Sequence, residues 1–221
     1  MTPDPGARAR ASKEHLLAAL ASAPSPTRRA RRTHAYLAYG FAIAAMLAVF
    51  WASGGPAHAR GRPLVDTLAI ALGATLLAGV STRIGLGRGG SMVGRPSRAL
   101  ALMALVVPVA TFAWLFAWHG HYVEPFERLG LRCLALTLTC ASVLLVAMFW
   151  LRARTVVRAP ALHGAVMGAA AGAWAGVAVD LWCPLTGPAH VALGHVLPIA
   201  LLIVLSAALG RVVLVVRSRR S

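Results

Sequence analysis

Lysine is almost missing from this chain: Lys13 is the only one in 221 residues. It precedes every long apolar run, so no amine is available inside a helical bundle to form a Schiff base, and retinal photochemistry is excluded. Acid is nearly as scarce. Six Asp and Glu stand against 22 Lys and Arg, a formal charge of +16, and charged residues make up only 13% of the chain. A soluble domain carries about a quarter charged residues. There are three cysteines and no C-x-x-C pair, which removes the thioredoxin-like motif. The apolar runs contain no series of acids, and no charged pair recurs in two halves of the chain. Pumps and secondary transporters use such features to move ions.

What fills the space is apolar sequence. Hydrophobic residues are 58% of the chain, the mean hydropathy is +0.71, and six runs stand out, approximately 35–52, 64–81, 99–118, 133–151, 161–182 and 191–210. Each approaches the roughly 20 residues that cross a bilayer as a helix. None alternates as a membrane β-strand does, and a lone segment in hydrocarbon must satisfy its own backbone, so each run predicts a helix. The expected fold is an all-α integral membrane protein with six transmembrane helices.

Basic residues set its orientation. Eighteen of the 22 fall in the N-terminal tail, the second loop, the fourth loop and the C-terminal end, leaving Arg60, Arg62, Arg128 and Arg132 for the other side. Cytoplasmic loops retain positive charge, so both termini are expected in the cytoplasm. Arginines flanking spans meet anionic headgroups, which accounts for the basicity by contact with the lipid bilayer and without direct nucleic-acid binding. Trp51, Trp118, Trp150 and Trp182 fall at run ends, as interfacial anchors do, while Trp114 and Trp174 lie deeper, as packing residues.

Three parts are expected: a cytoplasmic tail (1–33), a six-helix membrane domain (34–216) and a basic cytoplasmic C-terminus (217–221). The tail is too long and too polar before its first apolar run to read as a signal peptide. Its "SKEHLLAALAS" offers Ser12 as a helix cap, Glu14 in the first turn, and Leu16, Leu17 and Leu20 along one face. "APSPT" then breaks the helix, and "RRARR" sits at the membrane surface. This short amphipathic tail helix either lies on the inner leaflet or docks on a cytosolic partner through its leucines.

In the fifth run Gly164, Gly168, Gly172 and Gly176 recur every four residues, a face on which another helix approaches closely. Asp66 and Asp180 lie near the outer ends of their runs, within reach of Arg62, Arg128 or Arg132. His58, His119, His121, His190 and His195 gather on the outer side with Cys133 and Cys183, and Cys140 lies deeper. His119 and His121 are two apart and His190 and His195 five apart, spacings that put neither pair on one face of an α-helix, unlike the i, i+4 pair of metalloproteases. His163 is at the opposite end of its run from His195, so the two cannot share a haem. No metal, cofactor or catalytic group is therefore expected, although loops could assemble a mixed thiolate and imidazole site of the kind zinc prefers. In "DLWCPLTGPAHVALGH", Pro184, Gly187 and Pro188 read as a turn. Cys133 and Cys183 read either as small apolar residues or as an outer pair that oxidises or binds a soft electrophile. Used together, the outer His and Cys residues would suit a different class, a small membrane carrier or a redox or metal-binding protein.

The tail "EHLLAALASAPSP…RRARR", the six runs, the glycine-rich fifth run and "CP" in the last outer loop resemble the NrsF-type multi-pass membrane anti-sigma factors of bacteria. Within that family the similarity runs toward the CarR-type regulators of light-induced carotenoid synthesis. The resemblance implies a non-enzymatic protein of the inner membrane that sequesters an extracytoplasmic-function sigma factor, so repressing transcription, and releases it on a signal. It implies Glu14, Leu16, Leu17 and Leu20 as the docking residues and Cys133 and Cys183 as the signal-sensing pair. The CarR-like similarity adds light acting through singlet oxygen as the signal, carotenoid genes as the output, and a protease in release. "CPLTG" departs from the acidic residue that often follows "CP" in the family.

Overall fold

The computed structural model describes residues 28–52, 63–86, 96–117, 130–152, 157, 159–183, 185 and 187–214. Glu14, Leu16, Leu17 and Leu20 lie outside them, as do His58, His119 and His121. Every described element is helical: α1 (Arg28–Ala52), α2 (Leu64–Leu86), α3 (Ser97–Ala117), α4 (Leu131–Arg152), α5 (Pro160–Trp182) and α6 (Pro188–Val213). Five of them, α2 to α6, are long and apolar enough to cross a membrane, and the first expected run, 35–52, coincides with the later part of α1. The chain divides inside α1, into a unit ending at Tyr36 and a helical body beginning at Leu37.

The body is organised around α5. Some 94% of its apolar window is buried, against 22–39% in the other four long helices, so α5 is the axis and its neighbours are the wall. Ala169, Ala170 and Ala171 are each fully buried. Three consecutive helical residues point in three directions, so all sides of the helix are covered. Helices α6, α2, α4 and α3 supply that cover. The faces they turn outward are large and apolar, with Leu72, Leu102 and Val146 all strongly exposed. Contiguous exposed apolar surface of this kind suits a lipid environment.

Between lipid-surrounded helices apolar burial gains little, so packing depends on close van der Waals approach and on hydrogen bonds. Glycine supplies the first. A Cβ on Gly164 would collide with the carbonyl oxygen of Ser206, one on Gly168 with that of Leu202, and one on Gly210 with that of Pro160. One on Gly172 would lie 3.1 Å from Ile199 Cγ1. Gly176 differs: an added Cβ meets only Asp180 Oδ2, at 3.9 Å. It borders an apolar cavity of about 430 Å³ lined also by Gly73, Thr111 and Trp114.

Hydrogen bonds supply the second. Trp174 Nε1 donates to Thr82 Oγ1 at 2.8 Å, and Thr82 Oγ1 donates to the Ala78 carbonyl at 2.8 Å. Arg152, one of the basic residues counted with the fourth loop, closes α4, is buried and donates through Nη2 to the Gly85 carbonyl at 3.0 Å. The last carbonyls of a helix lack intrahelical partners and carry partial negative charge. Burying the cation there satisfies one of them.

Candidate functional site

The up-and-down path of the chain brings four chemically active side chains to one end of the bundle. Cys133 is in the first turn of α4, Cys183 directly follows α5, and His190 and His195 are in the first turns of α6. All four are buried. One sulfur or nitrogen atom from each lies within 4.8 Å of every other. Cys183 Sγ is 3.2 Å from His190 Nε2, and Cys133 Sγ is 3.5 Å from the same nitrogen.

This grouping overturns the expectation that His190 and His195 point apart. That expectation assumed a regular α-helix, but residues Ala192–Val196 form a π-helical turn, with Leu197 N–H donating to the Ala192 carbonyl. A π-turn closes over five residues rather than four. Residues five apart are then brought toward one face, and the two imidazole centroids lie 5.5 Å apart. Pro198 supplies a physical reason for the wider turn. Its ring would clash with the carbonyl four residues back, at Gly194, in an unbroken α-helix.

Two glycines outside the four-residue repeat let α4 reach this turn. Gly130 has φ +71°, the left-handed region in which an L side chain is strained, and its carbonyl accepts from Leu134 N–H at 2.9 Å to open α4. A Cβ on Gly130 would lie 3.0 Å from Gly194 N, and one on Gly194 would lie 3.1 Å from Cys133 Cβ. Both positions must therefore be small for Cys133 to meet the π-turn.

Asp180, which the sequence places within reach of Arg62, Arg128 or Arg132, has its Oδ1 2.5 Å from His195 Nδ1. Arg132 places its guanidinium 4.8 Å from the centroid of the Trp182 ring, a cation–π contact. Cys183, just beyond the end of α5, has its thiol pKa held well below the ordinary value. The hydrogen bond with Cys133 is the largest cause, followed by the neighbouring imidazoles of His190 and His195, against the opposing effect of burial. Such a thiol favours the thiolate, the form that binds metals and attacks electrophiles.

The remaining candidates lie elsewhere. Cys140 is buried further along α4. His163 is at the far end of α5 from the cluster, and its Nδ1 lies 3.1 Å from the Ala159 carbonyl. Asp66 is in the first turn of α2, where a helix N-terminus favours an acid. The sequence names every residue of the cluster and leaves a mixed thiolate and imidazole site open, but does not say which residues share it. The available signal was Gly194 and Pro198 flanking His195 at the start of an apolar run.

Apolar helices packed around a glycine-rich axis, with a buried thiol and imidazole cluster at one end, define a multi-helix protein of a class compatible with membrane insertion, five of whose helices are long and apolar enough to cross. Within that class the chain belongs to the NrsF family, whose model, described as "Negative regulator of sigma F", matches residues 17–215. Membership makes the protein a negative regulator of a sigma factor, that is, an anti-sigma factor with a sigma factor as its partner. No curated protein and no solved structure matches the chain.

Proposed function

We propose that this protein holds an extracytoplasmic-function sigma factor at the inner face of a bacterial inner membrane, with both termini cytoplasmic and six helices crossing. The observation that carries this reading is the family match, which covers residues 17–215. The tail helix containing Glu14, Leu16, Leu17 and Leu20 is the docking element, laying its leucine face against a helical region of the sigma factor that polymerase also needs. At about three turns this helix is marginal alone and orders on binding. An interface at or below about 800 Å² per partner is small, and membrane tethering compensates by raising the effective concentration.

On this reading the cysteine end receives the signal. Cys133 and Cys183 are the sensing pair. Light acting through singlet oxygen is a signal of suitable chemistry, with carotenoid genes as the output and proteolysis of the anti-sigma factor completing release. The test is co-expression of the full chain with candidate sigma factors, followed by co-purification from membranes. The double variant Leu16→Asp, Leu20→Asp is expected to release the sigma factor and raise reporter transcription while membrane insertion is unchanged. Full repression by that variant would remove the tail from the mechanism, and failure of every sigma factor to associate would remove the sequestration itself.

A further inference from the structure

We propose that Cys133, Cys183, His190 and His195 are the ligands of a tetrahedral site for a divalent, thiolate-preferring metal ion of the Zn2+ type, with Asp180 holding His195 in its ligating orientation. This inference does not depend on sigma-factor sequestration.

Geometry carries it first. With Zn–S near 2.3 Å and Zn–N near 2.0–2.1 Å, neighbouring ligand atoms of a tetrahedral site are about 3.3–3.8 Å apart. The observed contacts to His190 Nε2 are close to that spacing, 3.5 Å from Cys133 Sγ within it and 3.2 Å from Cys183 Sγ just short of it. The widest separation in the cluster, 4.8 Å, closes with a shift of about an ångström.

The environment of His195 is the second, independent observation. Its Nδ1 faces Asp180 Oδ1 at 2.5 Å. Neither ring nitrogen of this residue, only 3% exposed, makes a well-formed hydrogen bond, the Asp180 contact included. A carboxylate on one ring nitrogen fixes the tautomer and turns the other nitrogen toward a metal. A buried ring nitrogen left without a partner is unfavourable, and a metal–nitrogen bond removes that loss.

Ligand type and charge then choose the ion. Two sulfurs and two imidazole nitrogens select zinc-like chemistry over Mg2+ or Ca2+, which require oxygen ligands. Two thiolates neutralise a divalent ion, so the loaded centre carries no net charge, as a buried site requires. A monovalent Cu+ would leave one uncompensated negative charge. Binding takes both cysteines as thiolates and releases any remaining thiol protons to solvent. All four ligands are at most 4% exposed, which describes a closed structural site with no open coordination position.

The test uses the full chain purified in detergent, reduced and stripped with a chelator, then titrated with Co2+ as the spectroscopic probe. One ion per chain is expected, with thiolate-to-cobalt charge-transfer bands and intense tetrahedral d–d bands that Zn2+ bleaches. X-ray absorption on the Zn2+-loaded wild-type protein is expected to show two sulfur and two nitrogen neighbours, a result that needs no variant to fold. Cys133→Ser and Cys183→Ser each weaken the charge-transfer bands, Cys140→Ser leaves them intact, and Asp180→Asn lowers affinity by about 10–100-fold. Failure of the wild-type protein to bind one ion overturns the assignment. So does a coordination shell without sulfur, unchanged binding in both cysteine variants, or a parallel titration in which Cu+ displaces Zn2+ and alone binds one per chain.

Discussion

The two ends of α5 are held by different physics. Toward Pro160 the helix meets α6 backbone to backbone, with Gly164 against Ser206 and Gly210 against Pro160. Toward Trp182 the backbone contact stops at Gly176, the helix borders a cavity, and α6 is met again only through side chains, the imidazoles beside Cys183 and Asp180. The first end has no room for a side chain. The second depends on side chains and has space beside it. A glycine contact is insensitive to solutes, and a thiol cluster is not.

The sharpest way to break this comparison is Gly168→Val. Its branched side chain collides with a backbone carbonyl that no rotamer change can move, and the expected cost is about 3 kcal/mol or more. Thermal unfolding in detergent, or membrane accumulation, would show it, and wild-type stability would mean the helices are not in backbone contact. Arg152→Ala comes next. It removes the cation from the Gly85 carbonyl and leaves a buried acceptor, a loss of about 2–3 kcal/mol in the same assay. Trp174→Phe removes the donor to Thr82 while keeping the bulk, with a loss of about 1 kcal/mol.

Gly176→Ala is the matching control at the other end. Its Cβ meets nothing closer than 3.9 Å, and alanine is the better helix former by about 1 kcal/mol in water. Stability is expected to stay level or rise slightly. A fall as large as that of Gly168→Val would erase the distinction between the two ends.

Most of the architecture was legible from residue order. Apolar run length located the helices, and the four-residue glycine spacing identified the face of α5 that meets α6, because both follow from the α-helical repeat. Gly176 shows where that reasoning stops. It continues the repeat, yet at that point no backbone of α6 lies against it. The burial of Arg152 was hidden for a similar reason, since a loop arginine and a helix-capping arginine look identical in one dimension.

The cluster marks the same boundary more clearly. Cys133 and Cys183 were legible as a pair at one end, because topology alone places them there. His190 and His195 were read as diverging, because the pattern rules assume 3.6 residues per turn. By itself the sequence determined an all-helical chain of membrane-spanning type, a glycine-faced fifth helix and the ends at which the reactive residues gather, since these depend on composition and local period. Only the tertiary structure decided that four of those residues share one site and that Asp180 faces His195. Those outcomes depend on a π-turn beside Pro198 and on the close approach of Gly130 to Gly194. Such contacts between distant segments have no period from which to read them.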